Sequence, residues 1–196
     1  MLNLENIKKP VWHLLKVENV PSLDGHTAVS VASNIYVFGG FVNSIKSNSL
    51  YVLDKINRSW SQISGDDVLD NIIPEARSDH SCVITSCGTK MIIFGGVTSL
   101  NDRLNDTWIY NFQEHRWAQI VIDQPDAPRA RSGHTANIYN DKYMLVFGGT
   151  YSIKNEMNDL HVLDIESQRW VFLYKNIAHE IKKTPKKYFP GGTSRS

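Results

Sequence analysis

The feature that most constrains this chain is a repeat. Asp24-Gly25-His26-Thr27, Ser78-Asp79-His80-Ser81 and Ser132-Gly133-His134-Thr135 recur with successive histidines 54 residues apart. Each is followed by an apolar run that ends in two glycines: Val37-Phe38-Gly39-Gly40, Ile93-Phe94-Gly95-Gly96 and Val146-Phe147-Gly148-Gly149. A polar loop comes next, then a third run opening on Asn48-Ser49, Asn105-Asp106 or Asn158-Asp159, and a tryptophan closes each unit: Trp60, Trp117 and Trp170. Self-similarity at this period means an array of one supersecondary unit, each too small to bury its apolar face alone.

Each unit offers four short strands rich in Val, Ile, Tyr, Phe and Trp, separated by Gly, Asn, Asp and Ser turn residues. Four antiparallel strands in about 50 residues make the blade of a propeller. The paired glycines fit that geometry, because a strand leaving the crowded centre of a ring needs close backbone approach and positive φ. One tryptophan per blade is the right size to fill the wedge between successive blades, its indole nitrogen finding a backbone partner.

The order His, Gly-Gly, Asn-Asp strand and Trp, three times over, resembles the kelch-repeat family across about residues 12–173, in its long-period, Asn-Asp-containing form. The resemblance implies an all-β fold: a partial kelch β-propeller of three four-stranded antiparallel blades plus an orphan N-terminal strand. The expected layout is an extension at 1–10, the orphan strand at 11–17, repeats at 24–63, 78–120 and 132–173, and a basic tail or the start of a further repeat at 174–196. A short helix is expected at 176–183, before Pro185. Repeat one departs from the pattern, with Leu23 where Arg77 and Arg131 stand and Ser49 where Asp106 and Asp159 stand.

A propeller ring takes roughly four to eight blades, so three repeats do not close one. The orphan strand Val11-Trp12-His13-Leu14-Leu15 suits the family's habit of sealing a ring with a strand from one terminus. Three completions compete: a fragment of a longer ring, a short open gene product, or two copies closing six blades with two-fold symmetry. The fragment or truncated form ranks first and the homodimer second.

Composition narrows the function classes. No apolar run approaches the roughly 20 residues of a spanning helix, and the N-terminus has no signal-peptide core, so a cytoplasmic protein without a membrane partner is expected. Cys82 and Cys87, five apart, match neither a zinc pairing nor a disulfide framework and read as reduced thiols. Residues 175–196 carry six Lys and Arg against one Glu. Lys182-Lys183-Thr184-Pro185-Lys186-Lys187 reads as a solvated linker, and no repeated aromatics accompany it, so no nucleic-acid partner is expected.

His26, His80 and His134 sit at equivalent points of three blades, where each satisfies local backbone groups rather than converging on a metal. They are read as structural, with Gly39, Gly40, Gly95, Gly96, Gly148, Gly149, Trp60, Trp117 and Trp170. The family includes a copper oxidase and iron-dependent glucosinolate-processing proteins, whose sites need a Cys-crosslinked Tyr with His ligands or a spaced Glu, Asp and His set. Here Glu156, Asp159 and His161 crowd within six residues. Neither catalysis, metal nor cofactor is expected.

Arg77 and Arg131 are repeat-equivalent and read as hydrogen-bonding forks that pair across blades. Arg129 breaks the repeat. The loops after Gly-Gly, at 41–47, 97–103 and 150–156, differ most among repeats, the expected division between scaffold and recognition surface. Phe41, Lys46, Arg103, Tyr151 and Lys154, with Arg129, form the candidate partner-binding set, a basic and aromatic mixture suited to an acidic peptide. The expected function is a kelch-type interaction module or scaffold. The alternatives are part of a propeller enzyme or metal-binding protein whose site lies on other blades, and a self-assembling half-ring.

Overall fold

In the computed structural model, residues 14, 16–63, 72–121 and 126–174 are described. Their strands build three four-stranded antiparallel sheets, each running from inner to outer strand in chain order. Blade one comprises Thr27–Val31, Asn34–Phe38, Leu50–Asp54 and Ser59–Ile63. Blade two comprises Ser81–Ile84, Lys90–Phe94, Thr107–Asn111 and Arg116–Ile120. Blade three comprises Thr135–Tyr139, Tyr143–Phe147, Leu160–Asp164 and Arg169–Tyr174. The inner strands of successive blades are neighbours, and no helix occurs among the described residues. The described residues thus form three successive blades of a propeller.

The turn before each outer strand is held by one side chain. Asp54 Oδ1 accepts from the backbone N–H groups of Ile56 and Asn57 at 2.8 and 2.9 Å, Asn111 Oδ1 from Gln113 and Glu114, and Asp164 Oδ1 from Glu166 and Ser167. Such Asx geometry substitutes for a backbone turn and sets the hairpin.

The core lies between blades, because each sheet is apolar on both faces. Val29, Phe38 and Leu50 of blade one pack with Met91, Ile93 and Tyr110 of blade two. Ile92, Phe94 and Ile109 of blade two pack with Met144, Val146 and Leu163 of blade three. The closing tryptophans of blades two and three reach the blade before their own: Trp117 lies 4.9 Å from Phe38 and Trp170 5.1 Å from Phe94, between ring centroids. Tilted aromatic pairs of this kind contribute about 0.5–1.5 kcal/mol beyond the area they bury.

Near the ring's centre the histidines also cross the junctions. His80 Nε2 hydrogen-bonds Thr27 Oγ1 at 2.6 Å, and His134 Nε2 hydrogen-bonds Ser81 Oγ at 2.7 Å. Their bonding thus extends beyond the local backbone to the hydroxyl that follows the preceding blade's histidine. The backbone repeats the step: the Asp79 N–H donates to the Gly25 carbonyl at 3.0 Å and the Gly133 N–H to the Asp79 carbonyl at 2.9 Å. This approach explains the glycines. A Cβ on Gly39, at φ +68°, would stand 2.8 Å from the Arg77 carbonyl oxygen and 2.9 Å from His80 Cε1.

Of the expected orphan strand, residues 11–13 and 15 lie outside the described residues, as do the helix expected at 176–183 and the basic segment from 175 onward. Just after the orphan strand, the Trp60 N–H donates to the Glu18 carbonyl at 3.3 Å in a parallel bridge on the outer edge of blade one.

Candidate partner-binding loop face

The loops after Gly-Gly fold as short hairpins or bridges laid against the entry segment of their own blade. Phe41–Val42 pairs with both Leu23–Asp24 and Ile45–Lys46, Val97–Thr98 pairs with Arg77–Ser78, and Thr150 bridges Ser132. Beneath the second and third loops lie fully buried arginines. Arg77 donates from its two terminal nitrogens to Asp106 Oδ1 and Oδ2 at 2.6 and 2.7 Å, and also to the Gly95 and Glu75 carbonyls. Arg131 repeats this on Asp159 at 2.7 and 2.9 Å, with the Gly148 and Arg129 carbonyls.

The expectation that these arginines pair across blades is therefore corrected: each forks onto an aspartate of its own blade. The reason is local. The Gly95 N–H donates to the Asp106 carbonyl at 3.1 Å, which brings the returning strand beside the entry segment. Burial alone would raise the Asp159 carboxyl, but hydrogen bonds from His161 and the Arg131 guanidinium outweigh it and hold the group well below the usual carboxylate range. In blade one Leu23 and Ser49 occupy the fork positions, and Gln62 Nε2 donates to Ser49 Oγ at 3.1 Å.

The six candidate residues separate into two groups. Lys46 Nζ donates to the Thr98 carbonyl of the next blade's loop at 2.7 Å and lies 5.3 Å from the Phe41 ring centroid. Burial lowers its pKa, against the pull of Asp79. Arg103 Nε likewise donates to the Thr150 carbonyl at 3.1 Å. Lys46 and Arg103 thus tie adjacent loops together. Arg129 is exposed and stacks over Tyr151 at 5.8 Å, at the rim of a depression of about 280 Å³ lined also by Asn155, Glu156, Met157 and Asn158. Lys154 is exposed at the tip of the same hairpin. A second depression, of about 390 Å³, lies on blade one between Leu23, Asp24, Phe41, Asn43 and Ser44. Asp24, Asn43 and Ser44 were not among the expected set; the signal for them was the joint departure of Leu23 and Ser49 from the repeat.

Among the described residues no three His, Cys, Asp or Glu side chains converge as a metal site, and no helix is long and apolar enough to cross a membrane. Cys82 and Cys87 are free thiols. Burial of its sulfur pushes Cys82 up to about 12, whereas hydrogen bonds with Thr85 and Thr89 bring the exposed Cys87 down to about 7.

Residues 1–185 match the KLHDC2/KLHL20/DRC7 Kelch-repeats domain. The chain belongs to the kelch-repeat family. Kelch repeats are generally protein-interaction modules, and typically not enzymes. Among relatives, this kelch chain is 31% identical over 170 residues to the Rho GTPase-activating protein gacHH of Dictyostelium discoideum, covering 81% of this chain and 11% of that protein. It is 26% identical over 192 residues to Kelch domain-containing protein 1 of Mus musculus, covering 84% and 46%. It is 28% identical over 172 residues to an F-box/kelch-repeat protein of Arabidopsis thaliana, covering 80% and 35%. The chain spans less than half the length of each of these relatives.

Proposed function

We propose that this chain is a cytoplasmic scaffold that binds a protein partner through its loop face, without turnover, metal or cofactor, and that blade three carries the principal contact. The observation that carries this is Arg129 on Tyr151 beside the 280 Å³ depression. A stacked guanidinium offers a planar donor fork on an apolar base, the combination that anchors interfaces. Asn158 adds a buried Oδ1 with no hydrogen-bond partner among the described residues. Lys154 on the same hairpin gives the surface a second cation, which suits an acidic segment. The relatives range from a Rho GTPase-activating protein to an F-box/kelch-repeat protein, so the shared repeats are tied to no single reaction.

The test is crosslinking-assisted capture with the wild type beside Arg129→Ala and Tyr151→Ala. A species held by the wild type and reduced tenfold or more by both variants, about the effect of losing an interface anchor, supports the assignment. Equal recovery by all three places the contact elsewhere.

A second reading, in which two copies of the chain associate, is favoured by the exposed apolar side chains of Tyr139, Val171 and Leu173 on blade three.

A further inference from the structure

Turn corners favour Gly, Asn, Asp and Ser, whose backbone or side chain suits the bend. Two of the three loops on the Gly-Gly face break that rule. Leu100 sits in the turn of the second loop at 81% exposure, and Ile153 in the turn of the third at 93%. In the first loop the turn is Asn43-Ser44, and Ile45 follows it at 72% exposure. The loops themselves gain nothing from these side chains. Thr98 Oγ1 accepts from the backbone N–H groups of Leu100 and Asp102 at 3.2 and 3.3 Å, bonds that any residue but proline at position 100 would make. The third loop is held by backbone pairing of Thr150 with Glu156 and Ser152 with Asn155. A local rule broken with no gain inside the fold marks a functional position.

Aliphatic side chains exposed singly are ordinary on a protein surface, but these form a row. Lys46 Nζ and Arg103 Nε, donating to the Thr98 and Thr150 carbonyls of the next blade, stitch the three loops side by side. Blade two has a described blade on either side of it, and neither covers Leu100. Shape sets what does cover a knob of this kind. The apolar stripe of an amphipathic helix supplies holes, four residues to each, into which protruding aliphatic side chains insert. Charge sets the orientation. Beside Leu100 the exposed ionic group of the loop is Asp102, since Arg103 is bonded to Thr150. Beside Ile153 the exposed cations Lys154 and Arg129, the latter stacked on Tyr151, stand against Glu156. The row therefore runs from an acidic end on blade two to a basic end on blade three. An anionic lipid surface does not match that pattern, because it would repel the exposed Asp79 and Asp102.

We propose that Leu100 and Ile153 are the knobs of a docking surface for an amphipathic helix of a partner protein. The helix lies across the loops of blades two and three, with a basic residue at Asp102 and an acidic residue at Lys154 and Arg129. This rests on the loop-face reading above and names the partner's chemistry. Complementary charge fixes which end of the helix lies on which blade, because the opposite placement sets like charges together at both ends. Ile45 extends the row to blade one for a longer helix.

The experiment pans a phage-displayed library of helical peptides, apolar on one stripe and randomised elsewhere, against the full chain. The enriched peptide is then measured by fluorescence anisotropy. It is expected to carry basic residues at one end and acidic residues at the other. Leu100→Ser and Ile153→Ser are each expected to weaken it by about tenfold or more, the loss of an interface anchor. Ile56→Ser removes a side chain 76% exposed in the turn at the opposite end of blade one, and is expected to leave binding unchanged. All three positions are exposed, so circular dichroism and melting are expected to match the wild type. Lys154→Glu is expected to weaken the peptide, and a peptide with its acidic residues exchanged for lysine to restore binding. A library from which the wild type enriches nothing overturns the proposal. So does an enriched peptide held equally by Leu100→Ser and Ile153→Ser, or sedimentation of the chain with phosphatidylserine vesicles that depends on the same two side chains. Loss of the peptide on Arg129→Ala with none on Leu100→Ser and Ile153→Ser sinks this proposal and keeps the loop-face anchor. The reverse result sinks the anchor and keeps the row.

Discussion

Blade one and its two successors fold to the same ladder with different chemistry beneath the loop. In blades two and three a fully buried guanidinium grips a carboxylate at 2.6 to 2.9 Å and holds the glycine carbonyl and the entry segment as well. In blade one Leu23 and Ser49 stand instead, yet Leu23–Asp24 still pairs with Phe41–Val42 as Arg77–Ser78 pairs with Val97–Thr98. The fork is therefore not what forms the hairpin; strand pairing and the left-handed glycines do that. The difference teaches that arginine and aspartate are one unit. Losing the aspartate alone strands a buried guanidinium, and losing both costs little, since an ion pair exchanged for neutral groups is often close to neutral in stability.

The strongest way to break this comparison is to halve the unit. Asp159→Ala is expected to cost about 3–5 kcal/mol in urea denaturation, because it leaves the fully buried Arg131 without its carboxylate, and Arg131→Ala less, because the partly exposed Asp159 keeps its hydrogen bond to His161. Arg131→Leu with Asp159→Ser, which copies blade one, is expected to cost less than Asp159→Ala. A double variant as destabilised as the two singles combined would show that the residues act independently.

The same unit marks what was legible beforehand. The repeat announced the blades because the His motif, Gly-Gly and Trp each impose a backbone or packing demand that recurs at fixed spacing. The tryptophan's place between blades followed from its size. Whether a side chain pairs within its repeat or with the one before was not legible from spacing, since His and Arg recur with the same period and translational symmetry cannot separate the two cases. Repeat one held the missing information. Leu23 and Ser49 depart together inside a single repeat, as residues paired within one blade would, whereas a cross-blade pair would lose its members in successive repeats. The bonds of Lys46 and Arg103 to the Thr98 and Thr150 carbonyls had no such signal, because every residue offers a backbone acceptor.

A smaller effect sharpens the contrast at the centre of the array. His134→Ala removes the bond to Ser81 and a ring edge 5.2 Å from Phe94, and is expected to cost about 1–2 kcal/mol. His26→Ala, at an exposed position of blade one, is expected to fall within about 0.5 kcal/mol of the wild type. Equal costs at the two positions would mean that the histidines act inside their own blades.

The smallest expected difference is in acid. The folded-state carboxyl of Asp159 lies below its unfolded value, so its contribution is complete above the unfolded aspartate pKa of about 3.9 and is lost as pH falls through the folded value. Blade one has no carboxylate at the equivalent Ser49. A chain carrying Arg131→Leu and Asp159→Ser should therefore lose stability less steeply than the wild type as pH falls below about 4, with the curves parallel above about pH 5 where the group is ionised in both states. Thermal melts across that window read the slope directly. Parallel curves throughout would mean that the fork contributes shape to the loop base and no net charge stabilisation, leaving blade one's leucine and serine as its energetic equal.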